Sequence, residues 1–214
     1  MSSLESLRSA IEAGCSRLPV EPDETALDQM VAFIILLDKW NKIYNLTAVR
    51  DPAEMVPRHL LDSLAVAPFI APGRLLYVGT GAGLPGLPLA MLFPGQSFSV
   101  LDANAKKLRF VRQAVAELGL KNVEVVHKRM QEYQPAQAFD MVISRAVASL
   151  EVLYRQAIHV LAPGGRMLFM KGTLPEDEMN AFAPGRETLH IERLQVPGLD
   201  AERHLIWFEQ LDDD

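Results

Sequence analysis

A glycine-rich stretch in the first half of the chain restricts its fold more than any other segment. A short apolar run at 75–78 is followed by glycines at positions 79, 81, 83 and 86, and then by an apolar segment that ends near Phe93. A buried strand, a tight glycine turn and a helix, in that order, are the layout of a nucleotide-binding loop. Glycine adopts positive φ without strain and lets a ligand approach the backbone, and the N-terminus of the next helix attracts anionic groups.

The spacing of the glycines fits two nucleotide-binding patterns. Gly81-x-Gly83-x-x-Gly86 matches the dinucleotide fingerprint G-x-G-x-x-G. Gly79-x-Gly81-x-Gly83 resembles the first motif of class I methyltransferases, which bind S-adenosylmethionine. Each pattern alone is weak evidence for its ligand, so residues further along the chain have to decide between a dinucleotide and S-adenosylmethionine.

Length, charge and cysteine content narrow the class of protein. A chain of 214 residues fits one large domain or one domain with a small extension. The formal net charge of −6 argues against a general nucleic-acid coat, although a local basic patch stays compatible with it. Cys15 is the only cysteine, which excludes an internal disulfide and a cysteine-rich zinc site. With no signal peptide and no apolar run long enough to span a bilayer, we expect a cytoplasmic protein, a monomer without a metal.

The first third of the chain predicts helices only. Apolar spacing indicates helices over 3–17 and 24–44, and a further helix starts at Pro52 with Asp51 as its N-cap. Pro72 and Gly73 then interrupt the chain. We therefore divide the chain into a helical N-terminal extension, 1–70, and a second unit, 71–214.

The second unit alternates strands and helices. The predicted strands are 74–79, 97–102, 123–127, 139–144, 166–171, 187–196 and 203–210. The predicted helices are 86–93, 104–118, 149–161, which ends at a Pro-Gly-Gly sequence, and 175–182. Such alternation with apolar strands is typical of an α/β fold whose parallel sheet is covered on both faces. No helix separates the last two strands, so these should pair antiparallel.

Polar residues follow several of these strands. Asp102 ends the second strand, 23 positions after Gly79, where a carboxylate can accept hydrogen bonds from both hydroxyls of an adenosine ribose. The alternative is a surface acid that caps the next helix. This residue does not separate S-adenosylmethionine from NAD, because both contain adenosine.

The ends of the third and fourth strands supply further candidates. Met130 and Gln131 stand where a doubly wound sheet flanks an adenine, although Met130 could be core packing alone. Arg145 ends the fourth strand, beside the point where the strand order should reverse. A guanidinium there needs a carboxylate, a ligand or RNA as a partner, because burying it unpaired is costly. Lys171 ends the fifth strand and should face the same cleft.

Five motifs occur together and in order along the chain. They are 40–47 (WNKIYNLT), 58–64 (RHLLDSL), 79–86 (GTGAGLPG), 143–146 (ISRA) and 171–172 (KG). In this combination the chain resembles the glucose-inhibited division protein B family. Its members are bacterial enzymes that methylate N7 of a guanine, position 527 in the 530 loop of 16S ribosomal RNA.

The resemblance carries expectations for the fold and the site. It implies a class I methyltransferase, Rossmann-like, with a seven-stranded, mostly parallel sheet behind a helical N-terminal extension. It also implies S-adenosyl-L-methionine as cofactor and the small ribosomal subunit, or its assembly intermediate, as partner. Arg145 would be the positioning residue at the reaction centre. The implied cofactor-binding residues are Gly79, Gly81, Gly83, Leu84, Asp102, Met130, Gln131 and Arg145.

One position departs from the family pattern. The family usually has an acid where Tyr77 stands, and that carboxylate helps to hold the methionine end of the cofactor or the glycine loop. A tyrosine is bulkier and supplies no negative charge. Two alternatives therefore stay open beside the methyltransferase: an NAD-dependent oxidoreductase, and a non-catalytic ribosome-assembly or RNA-binding factor whose cofactor site Tyr77 disables.

Overall fold

The computed structural model describes residues 3–145, 148–182 and 189–209. Its strands are β1 (Arg74–Val78), β2 (Ser97–Asp102), β3 (Val123–His127), β4 (Phe139–Arg145), β5 (Leu161–Lys171), β6 (His190–Arg193) and β7 (His204–Glu209). Its helices are α1 (Ser3–Cys15), α2 (Glu24–Tyr44), α3 (Pro52–Met55), α4 (Asp62–Leu64), α5 (Gly86–Leu92), α6 (Ala105–Glu117), α7 (Leu150–Ala157) and α8 (Glu176–Ala181). The strands form one sheet in the order β3-β2-β1-β4-β5-β7-β6.

The sheet confirms the predicted α/β class. Strands β1 to β5 run parallel, whereas β7 pairs antiparallel with both β5 and β6. The strand order reverses between β1 and β4, so their carboxyl ends border a crevice of the kind in which α/β sheets bind ligands. The glycine turn and Arg145 both lie at this edge, as the sequence predicts.

The largest boundary errors concern three predicted elements. The helix expected over 149–161 ends at Ala157, and a 3₁₀ turn, Ile158–Val160, follows it. Strand β5 starts at Leu161 and includes the Pro-Gly-Gly sequence, because the register with β4 shifts between Phe139 and Met141 and absorbs the extra residues as a bulge. The predicted strand 187–196 is shortened to β6, and positions 187 and 188 lie outside the described residues, as does Ala146 of the fourth motif.

The N-terminal helices cover one face of the sheet. Helix α2 runs antiparallel to α6, since Gln29 hydrogen-bonds the Leu118 carbonyl while Trp40 packs on Phe110. One core cluster joins these helices to β1, so apolar contacts run across residue 70. The boundary between an extension and a methyltransferase domain at that position stays a prediction.

A single helical segment leads from the N-terminal helices to the cleft. It consists of α3, a π-helix (Val56–Leu61) and α4. Asp51 caps its first turn by accepting from the Ala53 N–H, as predicted. The wider π-helical turns are frequent at functional sites, and this one places His59 and Asp62 at the carboxyl edge of the sheet.

Three further findings concern the described residues. None of their helices is long and apolar enough to cross a membrane. No three His, Cys, Asp or Glu side chains among them are grouped so that they could hold a metal ion. Cys15 is buried in the core, and burial raises the pKa of its thiol to about 11.

Candidate cofactor and substrate site

The glycine loop is tied to the end of the neighbouring strand. Gly79, Gly81 and Gly83 have φ angles of 74°, 55° and 81°, which glycine adopts without the penalty that other residues incur. The backbone N–H groups of Gly79 and Thr80 donate to the Leu101 carbonyl over 2.8 and 3.1 Å. The loop therefore lies across the carboxyl ends of β1 and β2.

The loop glycines serve different purposes. A Cβ on Gly83 would stand 2.6 Å from the Leu87 side chain, and one on Gly86 would stand 2.7 Å from that of Val100, so both allow α5 to pack closely. A Cβ on Gly81 would meet only a backbone oxygen at 3.9 Å. The space beside Gly81 is therefore open, as a ligand-binding turn requires.

Asp102 lies beside this open space. Its two carboxylate oxygens accept hydrogen bonds of 2.8 Å from the backbone N–H groups of Gly81 and Asn104. Asn104 in turn caps α6 through its side chain. The carboxylate is thus held at the loop by the same turn that starts the next helix, and the side chain stays partly exposed. The alternative role of capping the next helix therefore falls to Asn104, and the role of Asp102 at a ribose stays a prediction.

The other loop and strand-end candidates divide between core and surface. Leu84 and Met130 are buried, with 2 % and 4 % of their surface exposed, so their side chains pack in the core. Gln131 is exposed on the adjoining 3₁₀ turn. Thr80, which the sequence analysis did not single out, is buried, and its Oγ1 has no hydrogen-bond partner among the described residues. A ligand seated in the loop could satisfy that hydroxyl.

Tyr77 lies under the loop and cannot replace the carboxylate that the family usually has. It is only 3 % exposed. Burial is the main reason that the pKa of its phenol is raised, so the side chain is neutral. The nearby charge and backbone of Arg145 oppose that shift. Tyr77 therefore lies close to Arg145, near the carboxyl ends of β1 and β4.

Arg145 is paired with a carboxylate, that of Asp62. Its Nη1 donates to Asp62 Oδ2 over 3.0 Å, and the Arg203 Nε donates to Asp62 Oδ1 over 2.6 Å. The Asp62 side chain is 3 % exposed, whereas the two arginine side chains are 24 % and 26 % exposed. One buried carboxylate therefore holds two guanidinium groups. We refer to Asp62, Arg145 and Arg203 as the arginine pair site.

His59 anchors the loop that follows α2. Its Nδ1 lies 2.9 Å from the Arg58 carbonyl oxygen, which can only accept, so Nδ1 carries the proton and Nε2 accepts from the Thr47 hydroxyl over 2.7 Å. Asn41 is buried and holds the same loop by accepting from the Thr47 N–H and donating to the Val49 carbonyl. Burial, reinforced by the nearby Arg145, lowers the pKa of His59 to about 4. This histidine is structural and neutral.

Lys171 is paired rather than free. Its Nζ donates to Glu178 Oε2 over 2.9 Å and to the Ala148 carbonyl over 3.1 Å. Glu178 also accepts from the Leu150 N–H. Burial raises the pKa of Glu178, but these hydrogen bonds outweigh it, and the net pKa is lowered. The pair fastens α8 to the end of β5.

A cleft of about 330 Å³ opens beside these residues. It lies at the carboxyl ends of β4 and β5. Its polar walls are Arg58, His59, Asp62, Arg145, Lys171, Arg203 and His204. Arg145 and Lys171 were predicted to face this cleft. Arg203 was not predicted, because it lies outside all five sequence motifs.

Sequence comparisons identify relatives over nearly the whole chain. The family model GidB, described as rRNA small subunit methyltransferase G, matches residues 26–206. Proteins named ribosomal RNA small subunit methyltransferase G from Hydrogenovibrio crunogenus and Cellvibrio japonicus are 46 % and 47 % identical to it. The first match covers 94 % of this chain and 93 % of the relative, and the second covers 94 % of each.

Solved structures share the fold at lower sequence identity. A SAM-dependent methyltransferase from Aquifex aeolicus aligns with a TM-score of 0.58 and 17 % identity over 75 % of this chain and 94 % of that one. The N-methyltransferase NodS from Bradyrhizobium japonicum, in complex with S-adenosyl-L-homocysteine, aligns with a TM-score of 0.56 and 17 % identity. That alignment covers 81 % of this chain and 98 % of that one. These likenesses confirm the predicted class I methyltransferase fold.

The family match and the fold lead to one assignment. The matched residues include the glycine loop, Asp102 and the arginine pair site. Relatives well above 40 % identical extend over more than nine-tenths of the chain. The chain therefore belongs to the GidB family, whose model is described as rRNA small subunit methyltransferase G.

Proposed function

We propose that this protein uses S-adenosyl-L-methionine to methylate N7 of a guanine, position 527 in the 530 loop, of bacterial 16S ribosomal RNA. The family match over residues 26–206 is the observation that carries the proposal, because it covers the loop, the crevice and the cleft together. The relatives that support it are named methyltransferases of small-subunit ribosomal RNA.

The loop offers groups that fit the cofactor. Asp102 has a partly exposed carboxylate that can accept from the ribose hydroxyls. The space beside Gly81 admits a ligand against the backbone, and the buried Thr80 hydroxyl is available as a donor. Gly79, Gly83 and Leu84 would shape the same pocket, while the turn at Met130 and Gln131 would border the adenine.

The reaction requires little acid–base catalysis from the protein. S-adenosylmethionine supplies an activated methyl group together with its own leaving group. Guanine N7 has a lone pair and no proton to remove, so no general base is needed. The contribution of the chain is to align the base with the cofactor, and alignment alone can supply several kcal/mol. The base must also leave its stack to reach the crevice.

Arg145 is assigned a positioning role in this scheme. The purine becomes more positive as it is methylated, so a cation beside the ring would not stabilise that change. The guanidinium can instead contact the RNA backbone or stack on a base. Replacing Arg145 with alanine should therefore lower methyl transfer while the protein stays folded. Unchanged turnover in that variant would contradict the positioning role of Arg145.

The partner is a shaped ribosomal particle rather than RNA in general. A net charge of −6 opposes non-specific binding to phosphates, whereas the cleft is lined by several cationic side chains. We therefore expect the enzyme to act on small subunits, or on their assembly intermediates, in preference to unrelated RNA. The protein would work in the cytoplasm as a monomer.

A methylation assay tests the proposal directly. Small subunits that lack the modification are incubated with the protein and S-adenosylmethionine labelled in its methyl group, and the product is mapped by cleavage at N7-methylguanine. Label at one guanine of the 530 loop is the expected result. Equal incorporation into unrelated RNA would contradict the substrate assignment, and no incorporation would contradict the reaction.

The two alternatives have separate tests. The family match favours a methyltransferase over an NAD-dependent oxidoreductase. NAD should therefore give no heat of binding in a calorimetric titration in which S-adenosylmethionine does. A non-catalytic assembly factor would bind small subunits without binding S-adenosylmethionine at all.

A further inference from the structure

The arginine pair site carries more positive charge than its carboxylate can balance. Asp62 supplies one negative charge, while Arg145 and Arg203 supply two positive charges within 3.0 Å of it. A partly buried guanidinium without a full counter-charge is unfavourable, and it becomes favourable when an anion arrives. The site has the charge and the exposure of an anion-binding site.

The neighbouring groups leave this excess in place. Lys171 is already paired with Glu178, and His59 is neutral. Arg58 adds a further positive charge at the rim, where its contact with Glu54 spans 3.6 Å and both side chains are more than half exposed. An exposed pair of that kind is weak. The cleft is therefore locally cationic in a protein whose overall charge is negative.

Position in the fold separates this cleft from the cofactor loop. Its lining comes from the π-helix and α4, from the ends of β4 and β5, and from the residues around Leu194 and the start of β7. Neither the loop glycines nor Asp102 belongs to its described walls. An anion bound there would lie beside the crevice, on the side away from the ribose-binding carboxylate.

We infer that Arg203 and Arg145, held by Asp62, form a subsite for a phosphodiester of the RNA strand next to the target guanine. This inference rests on the proposed function. A phosphodiester carries one negative charge, which matches the excess of the site, and planar guanidinium groups bind phosphate oxygens through paired hydrogen bonds. Asp62 is a positioning residue, because it fixes the direction of both guanidinium groups.

The test compares Arg203→Gln with wild-type protein in methylation of small subunits at several salt concentrations. The expected result is a KM for the RNA substrate about tenfold higher. The slope of log KM against log salt should also fall by about 0.7, the value for one lost contact to a single-stranded phosphate. The affinity for S-adenosylmethionine, measured by calorimetry, should stay unchanged.

A matched substitution controls for the loss of charge. Arg155 lies on α7, pairs with Glu151 and has a side chain 76 % exposed. Arg155→Gln removes the same charge away from the cleft, so both KM and the salt slope should stay at their wild-type values. Arg203→Lys keeps the charge but loses the planar fork, so it should raise KM several-fold with a wild-type slope.

Three outcomes would overturn the inference. Arg203→Gln with KM and slope unchanged would show that no phosphate binds there. Weaker binding of S-adenosylmethionine with an unchanged RNA slope would assign the anion to the carboxylate of the cofactor. The third outcome applies if Arg203→Gln does not fold: an unchanged KM in Arg203→Lys would show that no phosphate depends on the planar guanidinium. Failure of the proposed function would differ, because wild-type protein itself would then bind no S-adenosylmethionine or methylate no small subunits.

Discussion

The carboxylate of Asp102 accepts a hydrogen bond of 2.8 Å from the backbone N–H of Gly81. This contact joins the end of β2 to the glycine loop that follows β1, and it places the carboxylate at the open side of that loop. The acid that would hold a ribose is thus part of the structure that shapes the pocket. Loop geometry and cofactor affinity should respond together when either residue is changed.

Removing the Asp102 carboxylate should weaken binding of S-adenosylmethionine. Two hydrogen bonds to a charged acceptor are lost, so Asp102→Ala should cost about 2–3 kcal/mol of binding free energy, roughly 30- to 150-fold in Kd. Calorimetry measures the change. Asp102→Asn keeps the shape and one acceptor, so its loss should be smaller. A Kd within twofold of wild type in Asp102→Ala would show that Asp102 does not bind the ribose.

A methyl group on Gly81 should block the cofactor while costing little stability. Gly81 has φ of 55° and open space beside it, so Gly81→Ala should lower the free energy of unfolding by about 1 kcal/mol and abolish binding of S-adenosylmethionine. Gly119 is a matched control, with φ of 65° and nothing within 4 Å of an added Cβ. Gly119→Ala should lose similar stability and bind the cofactor normally. Normal binding by Gly81→Ala would contradict the proposed pocket.

Tyr77 should be compatible with cofactor binding in the wild-type protein. Its hydroxyl is buried close to Arg145, so Tyr77→Phe should change folding stability by no more than about 1 kcal/mol, with little change in cofactor affinity. Urea unfolding and calorimetry on the same samples separate the two effects.

Restoring the family carboxylate should be costly at this position. Tyr77→Asp would open a cavity beneath the loop and bury a charge, so a loss of about 3–5 kcal/mol of folding stability is expected. Binding of S-adenosylmethionine by Tyr77→Asp but not by wild type would show instead that the tyrosine disables the site.

His59 should make the protein less stable in acid. Burial lowers the pKa of its imidazole from 6.5 to about 4. Between about pH 6.5 and pH 4, His59 is therefore protonated in the unfolded chain but not in the folded one. The free energy of unfolding falls as the pH is lowered through this range. Between pH 7.5 and 4.5 this residue should remove about 2–3 kcal/mol from the free energy of unfolding.

Urea unfolding across this pH range measures the effect of His59. The variant His59→Gln cannot titrate there, so its stability should fall less steeply than that of wild type. Parallel pH profiles for the two proteins would contradict the prediction, because they would show that burial does not lower the pKa of His59.

Local signals made much of the fold and part of the site predictable. The strand pattern follows from apolar runs bounded by turn residues, and Ser97–Asp102 and Val123–His127 were predicted to the residue. The glycine loop and Asp102 depend on neighbours in sequence and on strand order, and both lie where they were expected. The Pro-Gly-Gly sequence misled the prediction, because a bulge in β5 absorbs it and a lone sequence does not show its pairing partner.

The sequence by itself determined the class of fold, the cofactor loop and the family, since these are recorded in the order of residues along the chain. Only the tertiary structure decided what the charged residues do. Asp62 meets Arg145 across 83 positions and Arg203 across 141 positions. Ion pairs of that span depend on which elements pack together, and no periodicity or spacing encodes them. The proximity of the buried Tyr77 to Arg145 has the same origin, because it exists only once β1 and β4 lie side by side.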